Sequence, residues 1–244
     1  MLQTRFAFQH MVSDIFIDYD AYGKKMTPST PNSLVINEIF HSIQGESSCM
    51  GLPCVFVRLT YCNIRCSYCD TEYAFYEGRE MSIDTIVDAV RQYNCNLVEI
   101  TGGEPLFQQN VHILMKRLCD EGYRVLLETG GSLSIAEVDL RVRRIVDFKC
   151  PSSNMAKKNL WKNVEDLRST DEVKFVIGTH EDYEWAKQKL LEHQIQNRCP
   201  VLMSVTFGEL EPVVLADWIL QDRLDVRFQL QIHKYIWSPE TRGV

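Results

Sequence analysis

No hydrophobic run in the 244-residue sequence approaches the roughly 20 residues that a membrane-spanning helix needs, so no membrane segment is expected. Positive charge is in short supply as well: 26 Lys and Arg stand against 33 Asp and Glu, a net charge of −7. That sign argues against a protein whose affinity comes from neutralising phosphates, and direct nucleic-acid binding is not expected. The N-terminus lacks the basic start, apolar core and small-residue cleavage site of a secretory leader. There is no internal repeat, and no low-complexity tract beyond one Pro/Ser/Thr stretch. What is present is ordinary globular material, 45% hydrophobic and 24% charged, long enough for one large domain or two small ones.

Cysteine is not scarce. There are nine, an odd number, and six of them (Cys49, Cys54, Cys95, Cys119, Cys150 and Cys199) are scattered singly. The other three, Cys62, Cys66 and Cys69, form one tight group. With no leader, a reducing cytoplasmic setting is expected, where such a group points to metal or redox chemistry over disulfides.

Residues 1–33 read as an N-terminal extension ending in a linker, Thr27-Pro28-Ser29-Thr30-Pro31-Asn32, and the functional domain is expected over 34–244. From there β-rich runs alternate with amphipathic helices. Strands are expected at Val35–Phe40, Val55–Leu59, Leu97–Thr101, Arg124–Thr129, Ile145–Lys149, Val173–Ile177, Val201–Thr206 and Val226–Ile232. Ser82 can cap a helix whose Ile83, Ile86, Val87 and Val90 share one face. Val111, Leu114, Met115 and Leu118 repeat the pattern before Gly122. Thr179 can cap His180–His193, and Leu210–Gln221 supplies one more helix. This is an α/β pattern with a mainly parallel sheet, open or curled into a barrel, whose chemistry sits at the C-terminal strand ends.

Cys62-Asn-Ile-Arg-Cys66-Ser-Tyr-Cys69 directly follows the Val55–Leu59 strand. Three thiolates within eight residues can converge on one centre, and soft sulfur selects zinc or an iron–sulfur cluster. A structural zinc site wants four closed ligands, and no fourth Cys or paired His follows at zinc-like spacing. Cys49 and Cys54 precede the group on a Gly/Pro turn and could complete it. Three ligands on a four-iron cluster would instead leave one iron open, as catalysis requires. Glu99-Ile100-Thr101-Gly102-Gly103-Glu104-Pro105 ends the next strand, where two glycines let backbone approach a ligand closely.

The Cys-x3-Cys-x2-Cys spacing resembles that of the radical S-adenosylmethionine (SAM) enzymes. The resemblance implies a partial (open) TIM-like (β/α)6 barrel and a 4Fe–4S cluster whose open iron holds SAM. Reductive cleavage of SAM then gives a 5′-deoxyadenosyl radical that abstracts hydrogen. Gly103 resembles the position that holds the SAM amino group, while Glu104 is expected to shape the turn.

Residues 34–244 are similar to the 7-carboxy-7-deazaguanine synthase family within that class. The similarity rests on Asn37-Glu38-Ile39-Phe40, Ser42-Ile43-Gln44-Gly45-Glu46, Gly51-x-Pro53-x-x-Phe56-Val57-Arg58, Asp70-Thr71 after the cysteines, Gln231-x-His233-Lys234-Tyr235-x-Trp237 and Arg242-Gly243-Val244. It implies conversion of 6-carboxy-5,6,7,8-tetrahydropterin to 7-carboxy-7-deazaguanine with loss of ammonia, a step of queuosine-precursor synthesis. Substrate contacts are implied at Ile43, Gln44, Gly45, Glu46, Arg58, Thr101 and His233. SAM contacts are implied at Tyr68, Cys69, Asp70, Gly103, Lys149, Ser204 and Phe207. Cys62, Cys66 and Cys69 would ligate the cluster and Thr71 would ligate Mg2+. Asp147-Phe148 departs from the family's Ser-Pro before the shared lysine. A flavodoxin or ferredoxin as electron donor and a homodimer also follow from the resemblance.

Two rivals remain at this point. A glycyl-radical activase shares the cysteine spacing but not Gln-Gly-Glu before it and Asp-Thr after it. A non-enzymatic metal or electron-transfer module would need four cysteines per cluster.

Overall fold

The computed structural model describes residues 31–244. Almost all of the expected extension and linker therefore lies outside the described residues. The domain begins with β1 (Ser33–Ile43), which forms a hairpin with β2 (Pro53–Leu59), and β3 (Arg79–Ser82) pairs antiparallel on the far side of β1. From β2 the sheet runs parallel through β4 (Leu97–Gly102), β5 (Arg124–Thr129), β6 (Arg143–Asp147), β7 (Glu172–Ile177), β8 (Val201–Val205) and β9 (Arg227–Gln229). The order β3-β1-β2-β4-β5-β6-β7-β8-β9 leaves the outermost strands unpaired with each other, so the barrel is open, as expected.

Helices α1 (Ile83–Arg91), α2 (Val111–Asp120), α3 (His180–His193) and α4 (Pro212–Asp222) fill four of the crossovers. The β5–β6 link is irregular and the β6–β7 link is a series of 3-10 turns. The cap residues act as their chemistry dictates. Ser82 Oγ accepts from the Thr85 N–H at 3.1 Å, and Thr179 with Asp182 closes a capping box on α3. Pro212 occupies the first turn of α4, where its missing N–H costs nothing, so that helix starts later than Leu210.

Three elements differ from expectation. β3 was not foreseen: Arg-Glu-Met-Ser is short, charged and largely exposed, the composition of a protected edge strand. β6 begins at Arg143, two residues early, because the Arg144 guanidinium is buried against Asp171 at 2.5 Å and its charge is compensated inside the fold. The expected strand Val226–Ile232 is cut to Arg227–Gln229, and His233 lies in a one-turn helix, α5 (His233–Ile236), not on a strand.

The parallel strands alternate, whereas β1 shifts register between Ile36 and Glu38. Val98, Ile100, Val125, Leu127, Val146, Val173 and Phe175 belong to the main core shared with the helices. The opposite faces point into the barrel. There Phe40, Cys49, Cys54, Phe56, Leu97, Leu126 and Ile145 form an apolar plug. One pleat further along, toward the C-terminal strand ends, the inward positions become Glu99, Glu128, Asp147 and Lys174, and these line a cavity of about 740 Å³. Among the described residues no helix is long and apolar enough to cross a membrane.

Candidate active site

The cysteine loop leaves β2 at the rim of this cavity, and Cys62, Cys66 and Cys69 all line it. Cys62 packs with Ile64 and Phe75, and Cys66, Cys69 and Met155 border the same small cluster. The loop is held from both sides. Arg65 donates to the carbonyls of Cys62 and Ile64, each at 2.7 Å, and stacks 4.1 Å over the Phe75 ring. Ser67 donates through its N–H to Ser153 O and through its hydroxyl to Ser152 O. Cys49 and Cys54, once candidates to complete a zinc site, belong to the apolar plug below and not to this group.

Burial pushes the Cys62 thiol up to about 11 and moves Cys66 in the same direction. Neither is a free nucleophile, and a bound metal is what deprotonates such thiols outright. Among the described residues no three Cys, His, Asp or Glu side chains gather as they would around a single ion. That arrangement does not match a closed zinc site, whereas a four-iron cube takes its thiols from more widely spaced corners.

Gly102 and Gly103 turn out to serve backbone packing first. Gly102 adopts φ +145°, and a Cβ on Gly103 would fall 2.1 Å from Tyr61 O and 3.0 Å from Cys62 Cβ. Only glycine lets the β4 end lie flush against the start of the cysteine loop. Glu104 shapes the turn as expected. It is fully buried and accepts from the N–H groups of Leu106 (3.1 Å) and Gly130 (2.8 Å) and from the Thr129 hydroxyl (2.8 Å).

The same cavity is lined by Ile43, Gln44, Gly45 and Glu46, and by Arg58 and Thr101. Gln44 is buried and already engaged, its Oε1 accepting from the Glu46 N–H at 2.8 Å and its Nε2 donating to the Glu99 carboxyl group. Glu46 accepts from Lys174 at 2.7 Å and from Gln231 at 2.8 Å. Burial alone would raise its pKa, but the Lys174 ammonium overrides that and holds it at about 2, so it is an ionised acceptor. Arg58 pairs with Glu38 at 2.8 Å. His233 packs directly on Gly45, and Ile232 N–H donates to Gly45 O at 3.1 Å. Helix α5 also sends Lys234 to Asp70 at 2.8 Å, joining the chain end to the cysteine loop.

Tyr68, Cys69, Asp70, Thr71, Gly103, Lys149 and Phe207 line the cavity, and Thr71 Oγ1 lies 3.8 Å from Cys69 Sγ. Ser204 is buried and is not among the residues that line the cavity. Among the described residues, the buried hydroxyls of Tyr68, Ser204 and Thr206 and Asp147 Oδ1 have no hydrogen-bond partner. Buried polar groups are nearly always paired, so this set of donors and acceptors fits a polar ligand such as SAM beside the cysteine loop.

Sequence reasoning missed Glu99, Glu128 and Lys174. The available signal was a charge inside an otherwise apolar strand: Leu97-Val98-Glu99-Ile100, Val125-Leu126-Leu127-Glu128 and Val173-Lys174-Phe175.

Residues 57–155 match the Radical SAM superfamily. The open parallel barrel with a three-cysteine loop at its rim thus defines a radical SAM protein, whose cofactors are a 4Fe–4S cluster and SAM. The 7-carboxy-7-deazaguanine synthase of Chlorobaculum tepidum is 48% identical over 219 residues, spanning 88% of this chain and 100% of that protein. That of Koribacter versatilis is 46% identical over 224 residues, spanning 86% and 99%. The chain belongs to the 7-carboxy-7-deazaguanine synthase family. Among solved structures, QueE from Escherichia coli shares the fold, with a TM-score of 0.69 at 18% identity over 81% of this chain and 93% of that one.

Proposed function

We propose that the chain converts 6-carboxy-5,6,7,8-tetrahydropterin to 7-carboxy-7-deazaguanine with loss of ammonia, supplying queuosine-precursor synthesis. The observation that carries this reading is that the Cys62–Cys69 loop and Gln44-Gly45-Glu46 line one and the same cavity. When bound, the cluster and SAM supply the hydrogen-abstracting radical. The chain's own residues do the holding. Glu46, kept ionised by Lys174, accepts from the amino-pyrimidine edge of a pterin, and the backbone of Ile43 and Gly45 offers further hydrogen bonds along that edge. Arg58 brings a rigid donor to a carboxylate or ring oxygen, with Glu38 fixing its direction. Thr101 and His233 line the same cavity and would contact the substrate. Tyr68, Asp70, Gly103, Lys149, Ser204 and Phe207 would hold SAM.

The Thr71 hydroxyl would be a hard oxygen ligand for Mg2+, which would in turn favour the substrate's carboxylate oxygens. On the family resemblance the reading extends to a cytoplasmic homodimer served by flavodoxin or ferredoxin, with residues 34–244 as the catalytic domain. The test is anaerobic reconstitution followed by turnover with 6-carboxytetrahydropterin, SAM, Mg2+ and reductant. The expected product is the deazaguanine acid by mass. SAM cleavage with the pterin recovered unchanged would reject the assignment.

A further inference from the structure

The polar layer of the barrel is out of electrostatic balance. Among the groups lining the cavity are the carboxyls of Glu46, Glu99, Glu128 and Asp147 and the ammonium groups of Lys149 and Lys174, while the further cations Lys234 and Arg242 pair with Asp70 and Glu77. Lys174 is taken by Glu46 at 2.7 Å and Glu128 at 2.5 Å, and Lys149 by Asp147 at 2.8 Å. The nearby Arg58 is taken by Glu38. Glu99 is 6% exposed, and among the described residues no cation pairs with it. Its one hydrogen-bonded carboxyl oxygen accepts from Gln44 Nε2, an uncharged donor. An ionised carboxylate in that position would face two other carboxyl groups with nothing to offset its desolvation.

We propose that Glu99 is a neutral carboxylic acid whose hydroxyl donates a hydrogen bond to the substrate's ring edge, selecting a heterocycle that presents a ring nitrogen or carbonyl oxygen there. The proposal rests on the pterin reading above and assigns the site a donor to set against the acceptor proposed there, Glu46. Gln44 fixes the spacing of the two, because its amide touches the Glu46 backbone on one side and the Glu99 carboxyl on the other. Glu46 then accepts from an amino group while Glu99 donates to an acceptor, the alternation that an amino-pyrimidinone edge provides.

The electrostatics agree. Burial raises the Glu99 pKa well above the usual carboxyl range, Glu128 and Glu46 raise it further, and Lys174 and Arg58 only partly oppose them. Burial also pushes the Glu128 carboxyl up to about 7, and the Cys54 thiol is pushed up by burial and stays neutral. A buried carboxylic acid kept protonated so that it can donate is an established device for binding polar rings.

Two measurements test this. Infrared spectra of the cluster-free protein at neutral pH should show the carbonyl band of a protonated carboxyl group that disappears in Glu99→Gln. Substrate KM for the reconstituted enzyme should then be followed against pH. Wild-type KM should rise as alkali removes the Glu99 proton. Glu99→Gln keeps a neutral donor, so it should raise KM by no more than about threefold and abolish the alkaline rise. Glu99→Ala removes the donor and should raise KM at least about tenfold, with SAM binding and iron content held. No lost band, or a Gln variant as impaired as the Ala variant, overturns the proposal. Wild-type enzyme that shows the band but does not turn over the pterin overturns the functional reading, and with it the ring-edge role, while leaving the proton on Glu99 established.

Discussion

The Lys174 ammonium lies 2.7 Å from the Glu46 carboxylate, although the two residues are 128 positions apart in the chain. Lys174 comes from β7 and Glu46 from the loop after β1, so the contact spans the barrel interior and ties its opposite sides together. It also sets the charge of the acceptor the substrate would meet. A hydrophobic replacement here cannot be neutral, because Glu46 and Glu128 both lose their cation.

Lys174→Met should therefore destabilise the cluster-free protein by about 3–5 kcal/mol at neutral pH, the usual cost of stranding a buried charge. The loss should depend on pH in a defined direction. Glu46 has a folded pKa of about 2 against a model-compound value of 4.5, so its stabilisation is complete above pH 4.5 and fades as pH falls toward 2. The gap between wild type and variant should accordingly narrow in acid. Urea unfolding of both proteins between pH 3 and pH 7.5 measures it; a gap constant across that range would mean that Lys174 contributes packing alone.

The helices and the cysteine loop were legible because their signals are local. Ile83, Ile86, Val87 and Val90 repeat within two turns, and all four are buried in α1. The floor of the cavity was not, because Glu99, Glu128 and Lys174 acquire meaning only when three strands stand side by side. Arg144 misled for a related reason. An arginine reads as solvent-exposed until Asp171, 27 residues away, is seen to bury it. For α5 the apolar and aromatic residues of Val226–Ile232 favoured a strand, but the chain instead turns at Ile232 to bring His233 onto Gly45.

Replacing Cys66 by Ala should abolish cluster binding, since on the proposed assignment each of the three loop thiols would hold a separate corner of one centre. Cys119→Ala should leave cluster loading intact, because that thiol packs among Leu114, Met115 and Leu118 in the main core. Its cost should be a stability loss of about 1–2 kcal/mol. Iron content and visible absorbance after anaerobic reconstitution distinguish the two variants. A Cys66→Ala protein with full iron content would refute the ligand assignment.

Thr71→Val removes the hydroxyl proposed as a Mg2+ ligand while nearly keeping the side chain's shape. Iron content and SAM binding should persist, because neither depends on the Thr71 hydroxyl. Mg2+ requires near-octahedral oxygen coordination at about 2.0–2.1 Å, so loss of the ligand should let the substrate carboxylate shift. A shift of one ångström at the reacting carbon costs on the order of 100-fold in rate. Turnover should fall steeply and its response to added Mg2+ should weaken. Titrating Mg2+ into wild-type and variant enzyme reads this directly, and an unchanged Mg2+ profile would recast Thr71 as a turn residue.

The contact between Gly45 and His233 admits a cleaner separation of cause and effect. A Cβ built on Gly45 falls 2.0 Å from His233 Nδ1 and 2.8 Å from its Cγ, too close for any real side chain. Gly45→Ala must therefore push the imidazole, and α5 with it, away from the Gln44–Glu46 segment. Because Ile232 N–H donates to Gly45 O, the displacement should also loosen the hydrogen bond that seats the chain end on the cavity. We expect a KM for the pterin raised by about tenfold or more and a melting temperature lowered by a few degrees. His233→Ala removes the ring and any substrate contact it makes, so it too should raise KM. In that background, however, the added methyl of Gly45→Ala has space to occupy, and the second substitution should cost little further. A double-mutant cycle on KM and on unfolding free energy measures the coupling. Strictly additive effects would show that the two residues act independently, and that glycine at position 45 serves backbone geometry instead of leaving room for His233.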